Sequence, residues 1–310
     1  MVRVRTKWIA LAGVAAGVVL GVYWGALAPD MPSGPSIPLP ADRSFPEIAP
    51  APQRPRHVPE SCAEARFADA ARRNAFSLRT MPWAPFRRPE IGWQTYAVMI
   101  GAEIQTGCPP GSEGFAGALA RWQAARSLPV TGEMSAETFT FMKGVWQEER
   151  SFVRRGAGCP DPPAETQLTA GRPGEGYSGK QVQLTHGAFD AYRRMVEAAK
   201  AEDPRIAADP RNLTIFSAYR SPAHDDERCA RERNCNGIVR AKCSPHRTGR
   251  AADIYVGQAP GYGPDSSADP NRLYMTQTPT YQWLVANAHR FGFVPYVFEP
   301  WHWEWIGDSG

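Results

Sequence analysis

From Trp8 to Ala28 the chain reads WIALAGVAAGVVLGVYWGALA, with no charged residue. About 20 apolar residues span a bilayer as a helix. Arg3, Arg5 and Lys7 precede this run and Asp30 follows it, so residues 1–7 are expected in the cytoplasm. The competing reading is a cleaved signal peptide with Ala26-Leu27-Ala28 as the small-residue site. The length of the run, and Pro29 directly after that site, favour an uncleaved anchor over 8–28. Either way the rest of the chain is expected outside the cytoplasm. Residues 29–59 then hold ten prolines and little apolar content. They read as an extended linker, with a reach of roughly 90 Å in polyproline II geometry at about 3.1 Å per residue.

Helical periodicity begins at residue 60 and continues to 155. CAEARFADAARRNAF, from Cys62, has helix-forming composition. Phe115, Leu119 and Trp122 recur at helical spacing. LPVTGEM reads as a turn containing Gly132, and Ser135 as the N-cap of a further helix with Glu137 in its first turn. Trp122-Gln123 followed by LPVTGEMSAET resembles the repeat of small three-helix peptidoglycan-binding domains, over about 30 residues. Residues 156–179 are rich in Gly and Pro and read as a second linker.

Beyond Tyr177 the pattern becomes mixed. Residues 186–201 form an amphipathic helix with Phe189, Tyr192, Val196 and Ala199 on one side. NLTIFSAYRS, from Asn212, is a strand running into a turn, and AADIYVG, from Ala251, is a strand. PTYQWLVANAHRFGF, from Pro279, is a helix with Gly292 near its C-cap. EPWHWEWIG, from Glu299, is a closing strand. The expected class is α+β: a small antiparallel sheet with flanking helices over 180–310, preceded by a small all-α domain and the N-terminal membrane helix.

Composition narrows the function classes. Of 310 residues, 43% are hydrophobic, enough for a core, and the formal charge of +4 comes without a dense Lys/Arg stripe, which argues against nucleic acid. The six cysteines, Cys62, Cys108, Cys159, Cys229, Cys235 and Cys243, point to disulfides in an oxidising compartment. A zinc–thiolate site is disfavoured because the spacing lacks a Cys-x-x-Cys pair. With three cysteines before residue 160 and three after 228, either one bridge crosses between the halves or each half keeps a free thiol.

The chemistry centres on CSPHRTGRAADIYVG, residues 243–257. An aspartate at the start of an apolar strand needs compensation for its burial, and a metal supplies it. Of the six histidines, His57 lies in the linker, while His186 and His289 fall on helices and read as solvated. That leaves His224, His246 and His302. Two histidines and one carboxylate make a catalytic zinc set with a fourth position open for water. His246, Asp253 and His302 fit it, with Gly249 permitting the turn between the first two. His224 is a weaker rival, because Asp225 and Asp226 beside it point to a solvated loop.

Three stretches occur in order: SAYRS with Tyr219 and Arg220; Ser244-x-His246-x-x-Gly249-x-Ala251-x-Asp253; and Glu299-x-x-His302. Together they resemble the zinc D-alanyl-D-alanine carboxypeptidases of the VanY/VanX type over roughly residues 180–307. The resemblance implies one zinc per chain on His246, Asp253 and His302, with Glu299 as general base and Arg220 as the cation facing the oxyanion or substrate. Ser244, Tyr219 and Glu304 are the candidate substrate-side residues. Strand parity puts Glu304, rather than Glu299, on the face of His302, which makes Glu304 the rival base unless Pro300 bends the chain at Glu299. Trp301, Trp303 and Trp305 then face the core. Residues 224–243 are expected to be a disulfide-pinned loop at the mouth of the site. The implied protein is a single-pass membrane peptidase facing peptidoglycan on the extracytoplasmic, periplasmic side. An endopeptidase cutting crosslinks, or a non-catalytic zinc-containing wall-binding protein, are the alternatives.

Overall fold

The computed structural model describes residues 61–154, 159–232 and 243–307. The expected membrane span, the first linker, Cys235 and part of the 224–243 insertion lie outside these residues. Among the described residues no helix is long and apolar enough to cross a membrane.

The helical periodicity of the first half becomes α1 (Ala68–Thr80), α2 (Ala97–Glu103), α3 (Glu113–Ala125), α4 (Ala136–Glu149) and the short α5 (Ser151–Arg154). The expected cap at Ser135 is in place: its hydroxyl accepts from Thr138 N–H at 3.1 Å. Ser112 caps α3 in the same way through Phe115 N–H. The turn between α3 and α4 is held from two sides. Buried Gln123 accepts from the N–H groups of Thr131 (3.1 Å) and Gly132 (2.9 Å). Asn74 of α1 donates to the Gly132 carbonyl and accepts from Met134 N–H. Gly132 has φ of +69°, the left-handed region that glycine enters without a Cβ penalty. This half is not all-α, because β1 (Pro82–Trp83) pairs antiparallel with β2 (Glu90–Ile91).

The stretch read as a second linker is structured from residue 159. In it, β3 (Leu168–Ala170) pairs antiparallel with β4 (Gln183–Thr185). Arg193 grips Glu175 through two hydrogen bonds, and Gly176 bridges to Ile215. Within its described part, Gly174 (φ +88°) and Gly179 (φ +77°) take left-handed steps on either side of that bridge. A Cβ at Gly176 would collide with the Lys180 carbonyl.

The helix read at 186–201 is α6 (His186–Glu202), with Phe189, Tyr192 and Ala199 buried. The short α7 (Pro204–Ala207) follows it. The central sheet contains β5 (Ile215–Ser217), β6 (Ala251–Ile254), β7 (Phe293–Pro295) and β8 (His302–Trp305), antiparallel in the order β5-β6-β8-β7. The insertion read as a loop opens as α8 (Pro222–Glu232), which buries Asp225 against Arg247. Next come α9 (Asp269–Thr276) and α10 (Pro279–Asn287). The turn after α10 ends at Gly292 with φ of +73°, where the C-cap was read. The result is a mixed fold of small antiparallel sheets and helices.

The two halves share one apolar core, which runs from Trp93, Phe115 and Phe139 to Phe189, Ile254 and Trp303. Polar groups cross the same boundary. The buried Arg272 guanidinium pairs with Glu90 (3.2 Å) and donates to Tyr96 Oη (2.6 Å), and Tyr96 in turn donates to Glu90. Of the two alternatives left by the cysteine positions, a bridge between the first three and the last three is present, Cys159–Cys243, while Cys62–Cys108 closes within the helical half. Cys229 is also disulfide-bonded.

Candidate metal centre

His246 sits in a 3-10 turn, Pro245–Thr248, that begins at Ser244 and ends at Gly249 with φ of +65°. This left-handed step returns the chain into β6, where Asp253 stands directly opposite His302 of β8. Asp253 Oδ2 lies 3.2 Å from His246 Nε2, and Oδ1 lies 2.8 Å from His302 Nδ1. One ligand atom from each residue falls within 4.8 Å of the others, and all three side chains are buried.

The remaining imidazole nitrogens are already engaged. His246 Nδ1–H donates to the Ala218 carbonyl at 2.8 Å, and His302 Nε2–H donates to Glu304 Oε1 at 3.4 Å. Such contacts fix ring orientation and tautomer. They leave His246 Nε2 and His302 Nδ1 aimed at Asp253. Burial alone would raise the Asp253 carboxyl, but the imidazoles of His246 and His302 outweigh it and hold the group well below the usual carboxylate range. Burial would lower His302, yet Asp253 and Glu304 raise it to about 9. Asp253 is thus held as a carboxylate between the two rings. Two imidazoles and a carboxylate are the donor set zinc takes, so the residues present fit that ion.

The other expected residues surround this centre. Arg220 N–H donates to the His246 carbonyl (3.2 Å), and its guanidinium donates to Ser244 Oγ (2.8 Å), which also accepts from His246 N–H. Tyr219 joins β4 through its N–H to the Gln183 carbonyl. Glu299 lies in a bend before β8, where His302 N–H donates to its carbonyl at 2.9 Å. The bend takes Glu299 out of the strand alternation that opposed its role. Glu304 shares the face of His302, and Trp301 and Trp303 enter the core. His224 is exposed on α8, and His186 is exposed with its ring against Thr169 Oγ1 and the Thr166 carbonyl.

Residues 181–308 match the family model "VanY: D-alanyl-D-alanine carboxypeptidase". The sequence resemblance is thereby shown for this segment, while residues 61–180 lie outside it. No curated protein matches the chain. Among solved structures, the LdcB LD-carboxypeptidase is 22% identical, covering 48% of this chain and 72% of its own, with a TM-score of 0.35. The D,D-pentapeptidase VanY of a VanB-type vancomycin-resistance cassette, solved with Zn(II), is 19% identical, covering 47% of this chain and 83% of its own, with a TM-score of 0.28. Neither likeness is strong enough to bear on fold or function.

Two side chains at this centre carry no signal in the sequence. Tyr296 packs edge-on to His302, with ring centroids 6.1 Å apart, and its N–H donates to the His302 carbonyl. Burial and the neighbouring Glu299 push its phenol up to about 12. Arg150, from the helical half, pairs with Glu304. A lone Arg at a helix end carries no periodic or motif signal, so nothing in the sequence pointed to it.

Proposed function

We propose that residues 180–310 hydrolyse peptide bonds next to D-alanine in peptidoglycan stem peptides, using one zinc ion held by His246, Asp253 and His302. The convergence of these three side chains within the VanY-matching segment carries this reading. Bound zinc supplies a Lewis acid that acidifies water and polarises a carbonyl. Glu299, in the bend before β8, takes the proton of the attacking water and returns it to the leaving amine. Arg220, fixed against Ser244, offers a permanent positive charge to the developing oxyanion or to the substrate. Glu304 serves as a support rather than the base, since both its oxygens already accept hydrogen bonds.

The same reading puts the peptidase outside the cytoplasm, anchored through residues 8–28. Disulfides Cys62–Cys108 and Cys159–Cys243 support an oxidising compartment. Residues 60–155 are proposed to hold peptidoglycan, on the strength of the Trp122-Gln123 turn motif.

The test is digestion of purified wall fragments by the full chain, with products identified by mass. Release of single D-alanine, abolished by a chelator and restored by zinc, is the expected result. Loss of crosslinked dimers without D-alanine release would make the enzyme an endopeptidase. No product under any metal loading would leave a non-catalytic wall-binding protein.

A further inference from the structure

Glu304 is buried on the face of the sheet that carries His302 and Asp253. Besides His302, its partners come from one short stretch of the helical half. Arg150 Nε donates to Oε1 at 2.8 Å, and Arg150 Nη2 lies 2.5 Å from the same atom. Phe152 N–H donates to Oε2 at 3.1 Å, and Ser151 Oγ donates to it at 3.4 Å. Arg150 is itself locked in place. Its Nη1 donates to Gln147 Oε1 at 2.6 Å, and its guanidinium lies over the Tyr296 ring, 4.2 Å from the centroid. Tyr296 in turn packs against His302.

A buried ion pair is poor evidence of stabilisation, because desolvating two charges offsets most of their attraction. An apolar pair of similar volume would hold α4 against the sheet as well. What Arg150 and Glu304 supply, and an apolar pair would not, is a fixed carboxylate oxygen at His302 Nε2. Oε1 accepts from both Arg150 and His302, so the position of the guanidinium sets the position of the acceptor. An acceptor on one ring nitrogen determines where the other nitrogen points.

We propose that Arg150, outside the VanY-matching segment, is a positioning residue for the metal centre, holding His302 Nδ1 toward Asp253 through Glu304. The proposal rests on the reading of His246, Asp253 and His302 as zinc ligands. On this account the helical half forms part of the centre's supporting shell, in addition to any role in holding the wall. Removing the guanidinium leaves Glu304 buried without its main donor, free to turn from His302.

Zinc affinity of the full chain, measured by competition with a chromophoric chelator, tests this. The wild type is expected to bind one zinc, and His246→Ala to lose it. Arg150→Met should weaken binding about 10–100-fold, the usual effect of removing such a support. Arg150→Lys, which keeps the charge without the planar fork, should fall between them. Arg150→Met should add nothing in a Glu304→Gln background, because both act along one chain of contacts. Glu103→Gln loosens the helical half elsewhere, at Trp122, Trp146 and Arg126, and should leave zinc affinity unchanged. Wild-type affinity in Arg150→Met overturns the proposal, and so does an equal loss in Glu103→Gln. If Arg150→Met does not fold, unchanged affinity in both Arg150→Lys and Glu304→Gln overturns it. A wild type that binds no zinc, or His246→Ala that binds it normally, instead overturns the ligand assignment beneath it.

Discussion

Glu299 and Glu304 flank His302 but meet different surroundings. Glu304 is almost wholly buried, and although burial raises its carboxyl, His302, Arg150 and the Phe152 N–H together hold it down to about 2. A carboxylate so firmly ionised and so fully engaged is a weak proton acceptor. Glu299 is only partly buried, on a bend free of the strand alternation. Glu299→Gln should therefore keep its zinc while turnover per bound zinc falls about 10²–10⁴-fold, the span of general acid–base effects. Glu304→Gln should bind zinc more weakly but turn over closer to the wild-type rate once loaded. Rates normalised to zinc content separate the two. Normal turnover in zinc-loaded Glu299→Gln, with loss in zinc-loaded Glu304→Gln, would reverse the assignment.

The local elements depend on a few polar clamps. Gln123 closes the turn between α3 and α4, so Gln123→Ala leaves the Gly132 N–H buried without a partner. The cost should be about 1–3 kcal/mol in urea unfolding, and a loss within error of zero would mean that the turn re-forms around another acceptor. The segment before β4 is held by Glu175 on Arg193. Burial alone would raise the Glu175 carboxyl, but Arg193 and the Arg172 N–H outweigh it and lower it below its ordinary 4.5. A depressed carboxyl stabilises the fold above its unfolded value and loses that contribution as pH falls through the folded one. Glu175→Gln should then be less stable at pH 7 by up to about 1 kcal/mol. The gap to wild type should close as pH drops below 4.5, and a gap that persists in acid would mean the effect is not electrostatic.

Across the whole molecule the shared core predicts joint unfolding. Trp93 and Phe139 belong to the same apolar cluster as Ile254 and Trp303, and Arg272 ties α9 to Glu90 and Tyr96 across the boundary. Calorimetry should record one transition for residues 61–307, and two separated peaks would show the halves melting independently. Arg272→Met leaves Glu90 buried without its cation, a class of change that costs about 3–5 kcal/mol. It should lower the single transition without splitting it. Reduction of Cys159–Cys243, which ties the segment leading to β3 to the turn that carries His246, should lower the transition further.

Local patterns were legible in the chain. The capping hydroxyl of Ser135, the left-handed stop at Gly292 and the buried side of α6 follow from spacing alone, because helix geometry repeats within a few residues. Strand alternation placed His302 with Glu304 and put Trp303 in the core, and the three-part motif marked the segment that matches VanY. The pairing of β3 with β4 inside the stretch read as a linker carried no local signal, because Gly and Pro look alike in a tether and in packed turns. Tertiary structure alone set Asp253 opposite His302, merged the two halves into one core and brought Arg150 to Glu304. Each of these joins residues far apart in the chain, and their pairing depends on which surfaces exclude water together, a property that no local period records.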